Sequence, residues 1–192
     1  MFDGVVEDDE TYVGGQFDKR RKRERYEKQP VFGMIQRGTE IEHSKVLAFP
    51  IKVASAKVLT GAVSGNVSVK AEQLVITDEN RGYHKVGKDY AHETVNHIQL
   101  EYKRKGDPRN IHTNSIEGSL FKRGLIGSFH KVSVQHLGAY LNEFEFRFNL
   151  RRNQEMFALV ILNLVIAQAM PYAQLIGKTS ESGAEPSEGA PF

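Results

Sequence analysis

The stretch VVEDDETYVGG, residues 5–15, decides how the rest of the chain is read. Its β-branched and aromatic residues and closing glycine pair predict a strand over Val5–Val13 with turn material at Gly14-Gly15. The middle of that strand is acidic: Glu7, Asp8, Asp9 and Glu10 stand in a row. Side chains alternate across a strand, so Asp9 and Thr11 share one face while Asp8, Glu10 and Tyr12 take the other. Only one of the adjacent acids can then point at a given site, and periodicity leaves open which. Two more polar clusters lie far along the chain, LVITDENRGY at 74–83 and HTNSIEGSLFKRG at 112–124. Each puts an acid where a strand should end or a helix begin, the arrangement by which a mixed sheet gathers distant carboxylates around metal ions.

Working outward from the first strand, Val31–Arg37 reads as a second strand and Val46–Val53 as a third, with Gly38-Thr39 between them. The first connection is long and holds a basic run. Ser55 reads as an N-cap for a helix over Ala56–Val63, and Gln73–Thr77 as a short buried strand ending at Asp78. A crossover helix between parallel strands is implied. Thr94–Leu100 reads as a further strand, and 114–124, 133–149 and 154–170 as helices. Residues from Pro171 onward turn to Ser, Glu, Gly and Pro, a composition expected to be disordered. The expected organisation is one domain over 1–170 followed by a tail over 171–192.

Composition narrows the class. The chain has 192 residues with 40% hydrophobic content, enough for one well-buried domain. There is no cysteine, which excludes disulfides and thiolate zinc sites and is compatible with a reducing compartment. Neither His92 with His97 nor His130 with His136 shows the i, i+4 spacing of a helical metal pair, so the histidines read as surface or hydrogen-bonded. Gly14-Gly15 reads as a turn rather than a phosphate cradle, since no Gly-rich phosphate motif follows it. The N-terminus is acidic where a signal peptide would be positive. MFALVILNLVIAQAM, 156–170, falls short of the roughly 20 apolar residues a bilayer needs and reads as a buried core helix.

The net charge of +2 hides two basic groups. Lys19, Arg20, Arg21, Lys22, Arg23, Arg25 and Lys28 form the first; Lys103, Arg104, Lys105 and Arg109 form the second. An isolated run of this kind is often only a solvated loop. Here both lie near the acidic clusters, which points to a polyphosphate partner held by counterion release.

Three antiparallel strands, then helix, strand, helix, strand and terminal helices, is the order of an α/β ribonuclease H-like fold, a mixed sheet flanked by helices. The chain also resembles the catalytic domain of DDE-type insertion-sequence transposases of the ISXO-like group, from about Gly4 to Arg152. VEDDETYVGG is similar to that group's opening motif, KQPVFGMIQR (28–37) to its second strand, and TDENRGY to its second-aspartate motif. HETVNH, HTNSIEG and LNEFEFRFNLR follow in the family's order. The resemblance implies metal-dependent cleavage and strand transfer of DNA, with Asp9 and Asp78 as the first two metal ligands. For the third position it carries over both Asn114 and Glu117, unranked.

Two Mg²⁺ (or Mn²⁺) ions, about 3.5–4 Å apart in such sites, activate the attacking oxygen and stabilise the leaving oxygen at phosphorus, and hard cations require oxygen ligands. Lys122 or Arg123 would meet phosphate charge further along the third-motif helix, and His112 would donate to phosphate or start that helix. The resemblance further implies a homo-oligomer assembled on insertion-sequence ends and target DNA, in a prokaryotic cytoplasm and close to the nucleoid.

Departures from the family qualify this. Between Glu117 and Lys122 the chain reads GSLF, where the family has two more residues, a change of about 200° around a helix at 100° per residue. The family carries a zinc-binding or helix-turn-helix region upstream, whereas this chain starts almost at the first aspartate. Its last residues do not resemble the family, as in a frameshifted or decayed copy. Two functions therefore stand at this point: a DNA transposase, or a catalytically inactive remnant that binds DNA nonspecifically through its two basic groups.

Overall fold

The computed structural model describes residues 1–14, 28–40, 42–70, 73–96, 104, 121–124, 127, 129 and 132–175, without the side chains of 122, 123, 174 and 175. Five strands form one mixed sheet in the order β3-β2-β1-β4-β5. The acidic strand β1 (Val5–Val13) lies at its centre. Strand β2 (Gln29–Gln36) pairs antiparallel with β1, Asp9 opposite Gly33, and β3 (Lys45–Pro50) pairs antiparallel with β2. On the other side β4 (Leu74–Asp78) runs parallel to β1, and β5 (Ala91–Val95) parallel to β4. Helix α1 (Ala56–Asn66) links β3 to β4 as the expected crossover. This is a ribonuclease H-like sheet, but where the sequence implies a helix between the fourth and fifth strands the chain makes two 3₁₀ turns, Arg81–Tyr83 and Val86–Lys88.

Two apolar layers cover the sheet, and the alternation of β1 decides which residue enters which. Val6 packs with Phe32, Met34 and Val75 against Leu59 and Val63 of α1 and against Tyr83 and Tyr90. Val13 packs with Val31 and Ala48 against Phe121 of the short helix α2 (Phe121–Gly124) and Leu137 and Leu141 of α3 (Leu137–Asn149). A single 3₁₀ turn, Val134–His136, leads into α3. Ser55 holds the extended N-cap conformation of α1, but its hydroxyl makes no capping bond. Gly14 ends β1 at φ +93°, a left-handed conformation that suits the turn expected there.

Helix α3 also strap-seals the outer border of the sheet. The Asn149 amide donates to Val46 O (3.0 Å) and accepts from Val46 N (2.8 Å), while the Glu145 carboxylate accepts from Ala48 N. Three backbone groups of edge strand β3, Val46 N, Val46 O and Ala48 N, are thus satisfied by side chains. On α3, Phe144 packs edge-on against Phe121 and Phe148 lies beneath the Arg151 guanidinium.

Other expectations change as well. Strand β5 begins at Ala91, pairing along the whole of β4, rather than at Thr94; residues 97–100 lie outside the described ones. Strand β3 stops at Pro50, which lacks an N–H, short of Val53. The apolar segment forms α4 (Met156–Ile166), but it is not a buried core helix: Phe157 is 74% exposed and Val165 76%. Its sequence is apolar on every side, which signals a wish for burial without naming a partner. The chain divides into two units, Met1–Arg152 and Asn153–Phe192, and α4 belongs to the second with a last short helix, α5 (Tyr172–Leu175). The tail beyond 175 lies outside the described residues. Among the described residues no helix is long and apolar enough to cross a membrane.

Candidate metal centre

Strands β1 and β4 run side by side in the same direction, with Val5 beside Leu74 and Glu7 beside Ile76. Both continue past that last pair in step, so Asp9 and Asp78 come to neighbouring places where β4 ends. One carboxylate oxygen from each of Asp9, Glu10 and Asp78 lies within 4.8 Å of the others. Asp9 and Glu10 are only 7% and 9% exposed, while Asp78 is half-buried. Three oxygen donors at this spacing fit a hard divalent cation.

The loop after β4 is shaped by Asp78 and Asn80. The Asn80 N–H donates to Asp78 Oδ1 at 3.0 Å, and the Gly82 N–H donates to Asn80 Oδ1 at 2.8 Å, capping a 3₁₀ turn at Arg81–Tyr83. The Asn80 side-chain amide donates to Glu10 Oε1, and the Tyr83 hydroxyl donates to Glu10 Oε2 at 2.7 Å. Burial raises the Glu10 carboxyl above its ordinary range, with Asp78 adding to the effect and the Tyr83 and Asn80 bonds opposing it. Burial, then the Glu10 charge, pushes the Tyr83 hydroxyl strongly upward, so it stays a proton donor.

The remaining acids of β1 have other surroundings. Glu7 is buried and paired with Arg37 Nε at 2.6 Å. Asp8 is wholly buried, and neither carboxylate oxygen has a hydrogen-bond partner among the described residues. Burial holds its carboxyl well above the ordinary value, and the charges of Asp9 and Glu7 reinforce this. On β5, His92 Nε2 lies 2.9 Å from Thr77 Oγ1, the hydrogen-bonded role expected of the histidines.

A profile of the ISXO2-like transposase domain matches residues 1–149. The chain belongs to that family. A comparison with curated proteins finds no match. In this transposase domain, the two aspartates singled out from the sequence, Asp9 and Asp78, are brought together. Asn114, Glu117 and His112 lie outside the described residues, as do Lys19, Arg20, Arg21, Lys22, Arg23, Arg25, Lys103 and Lys105. The backbone of Lys122 and Arg123 belongs to α2, whose Phe121 anchors it in the core; their side chains lie outside the described ones. Arg104 turns back on β5, donating to Glu93 Oε2 and Thr94 O.

Sequence reasoning missed Glu10. Strict alternation sends it to the face opposite Asp9, yet the longer side chain reaches the loop beyond β4, where the β1–β4 ladder has already ended at Glu7. The available signal was the spacing of TDENRGY, which puts Asn80 and Tyr83 one turn beyond Asp78.

Proposed function

We propose that this transposase domain catalyses metal-dependent cleavage and strand transfer of insertion-sequence DNA. One observation carries the reading: the Asp9 and Asp78 carboxylates, 69 positions apart in sequence, converge within 4.8 Å in a chain of this family. Asp9 on β1 and Asp78 at the end of β4 would hold Mg²⁺ or Mn²⁺, with Asn114 or Glu117 as the third donor and Glu10 within reach. The bound cations supply Lewis acidity and charge compensation at the scissile phosphate. The protein's own part is to fix the carboxylates on two rigid parallel strands and to keep bulk water from the buried side of the site. Lys122 and Arg123 on α2 would bind phosphate, as would the basic groups at 19–25 and 103–105 along the DNA backbone.

The domain 1–170 would work in the cytoplasm, as a homo-oligomer when assembled on DNA. Supercoiled or element-end DNA incubated with the chain and Mn²⁺ is expected to be nicked, and Asp9→Asn or Asp78→Asn to abolish nicking. Nicking that survives either change refutes the reading. Salt-sensitive DNA binding without nicking in the unaltered chain would instead establish an inactive remnant.

A further inference from the structure

The β1–β4 ladder ends at Glu7 and Ile76, before either aspartate is reached, so the backbone pairing between these strands does not itself fix the separation of Asp9 and Asp78. What spans the gap is a chain of side-chain bonds. Tyr83 OH and the Asn80 amide both donate to the Glu10 carboxylate, and the Asn80 backbone N–H donates to Asp78. The far end is rooted in the α1 core: Tyr83 is 1% exposed, and a Cβ at Gly82 would come 2.5 Å from Leu59 Cδ1, so the turn sits directly on that helix. The near end is rooted in β1, held on its other side by β2 through the Glu10–Phe32 pair.

We propose that Glu10 is a positioning residue whose carboxylate, gripped by Tyr83 and Asn80, braces the loop carrying Asp78 against β1 and thereby sets the ligand spacing of Asp9 and Asp78. This rests on the metal-site reading above. A carboxylate has about four lone-pair positions, so two donated bonds do not prevent Glu10 from facing a cation as well. The brace differs from simple ligation in one respect: it depends on Tyr83, which has no ligand atom among the three gathered oxygens. Partners that orient ligands in this way typically contribute 10–100-fold to metal affinity.

The test is Mn²⁺ titration of the full chain, read by the electron paramagnetic resonance of free Mn²⁺. Tyr83→Phe is expected to weaken binding at least roughly ten-fold, and Glu10→Gln to do the same should the phenylalanine variant fold poorly. Tyr90→Phe is the control for stability, because Tyr90 is also a buried tyrosine, its hydroxyl donating to Val67 O at 3.1 Å on the same side of the sheet. It is expected to bind Mn²⁺ within about two-fold of the unaltered chain, the scale of a variant that leaves ligand orientation alone. Wild-type affinity in a folded Tyr83→Phe, whatever Glu10→Gln does, or an equal loss in Tyr90→Phe, overturns the brace. If Asp78→Asn also binds Mn²⁺ normally, the metal-site reading itself has failed, and the brace falls with it.

Discussion

Replacing Asp8 by valine should make this protein more stable, and by an amount that grows with pH. Asp8 sits in the middle of the central strand, wholly buried, with neither oxygen hydrogen-bonded among the described residues. Even as the neutral acid, an unsatisfied buried polar group costs about 1–3 kcal/mol, which a β-branched apolar side chain of similar size would recover. Ionisation adds to the cost. The folded-state carboxyl is raised well above its ordinary value of 3.8, chiefly by burial, so the native state holds a proton that the unfolded chain releases. The stability associated with that proton is fully present below 3.8 and is lost as pH rises from there through the folded-state value.

Within that window the loss is about 1.4 kcal/mol per pH unit. Asp8→Val has no such proton, so the stability gap between variant and parent should widen at that slope. In a chain of this size this corresponds to about 3–6 °C in melting temperature per pH unit. Urea unfolding followed by circular dichroism, in EDTA at half-unit steps from pH 4.5 upward, measures the gap directly. The titrations of Glu10 and Glu145 are common to both proteins and cancel in the difference. A gap that stays constant with pH, or a variant less stable than the parent, refutes the reasoning.

Arg37→Met removes the guanidinium bonded to the buried Glu7 at 2.6 Å and should cost about 3 kcal/mol in urea unfolding, the scale of breaking a buried pair from one side. Asn149→Ala removes two bonds to Val46 and should cost about 1–3 kcal/mol, with faster hydrogen exchange at the Val46 and Ala48 amides as the local sign. Val165→Gln on α4 should change the unfolding free energy by less than about 0.5 kcal/mol; a loss of several kcal/mol would mean that this helix is packed after all.

The sheet was legible because its strands announce themselves twice, by β-branched runs and by the turn residues that end them. Val5–Val13 was read to the residue, and LVITD revealed the parallel neighbour of β1. Asp9 and Asp78 were named through the family resemblance, and the parallel run of β1 beside β4 brings them to neighbouring places. What escaped was anything depending on reach or on cover. Glu10 keeps the face it shares with Val6 and Tyr83 and is tied to the Asp78 loop through Asn80 and Tyr83, a tertiary contact that alternation does not encode. Asp8 gives the same letter as Asp9 in the sequence, and only packing separates a wholly buried acid without a hydrogen bond from one gathered with Glu10 and Asp78. In α4, the string MFALVILNLVI states how apolar the helix is but not whether anything lies against it.

The bonding of Asn149 and Glu145 to β3 bears on how this molecule meets its own copies. A flat, unpaired strand is a template on which a foreign strand can be laid, and repeated laying is how sheets fuse into fibres. On the β3 flank the docking points at Val46 and Ala48 are already taken by a helix from the same chain, so an invading strand would first have to peel α3 away from Val31 and Ala48. Association of copies through that flank is therefore steered toward side-chain surfaces, which can be specific and reversible, and away from runaway stacking.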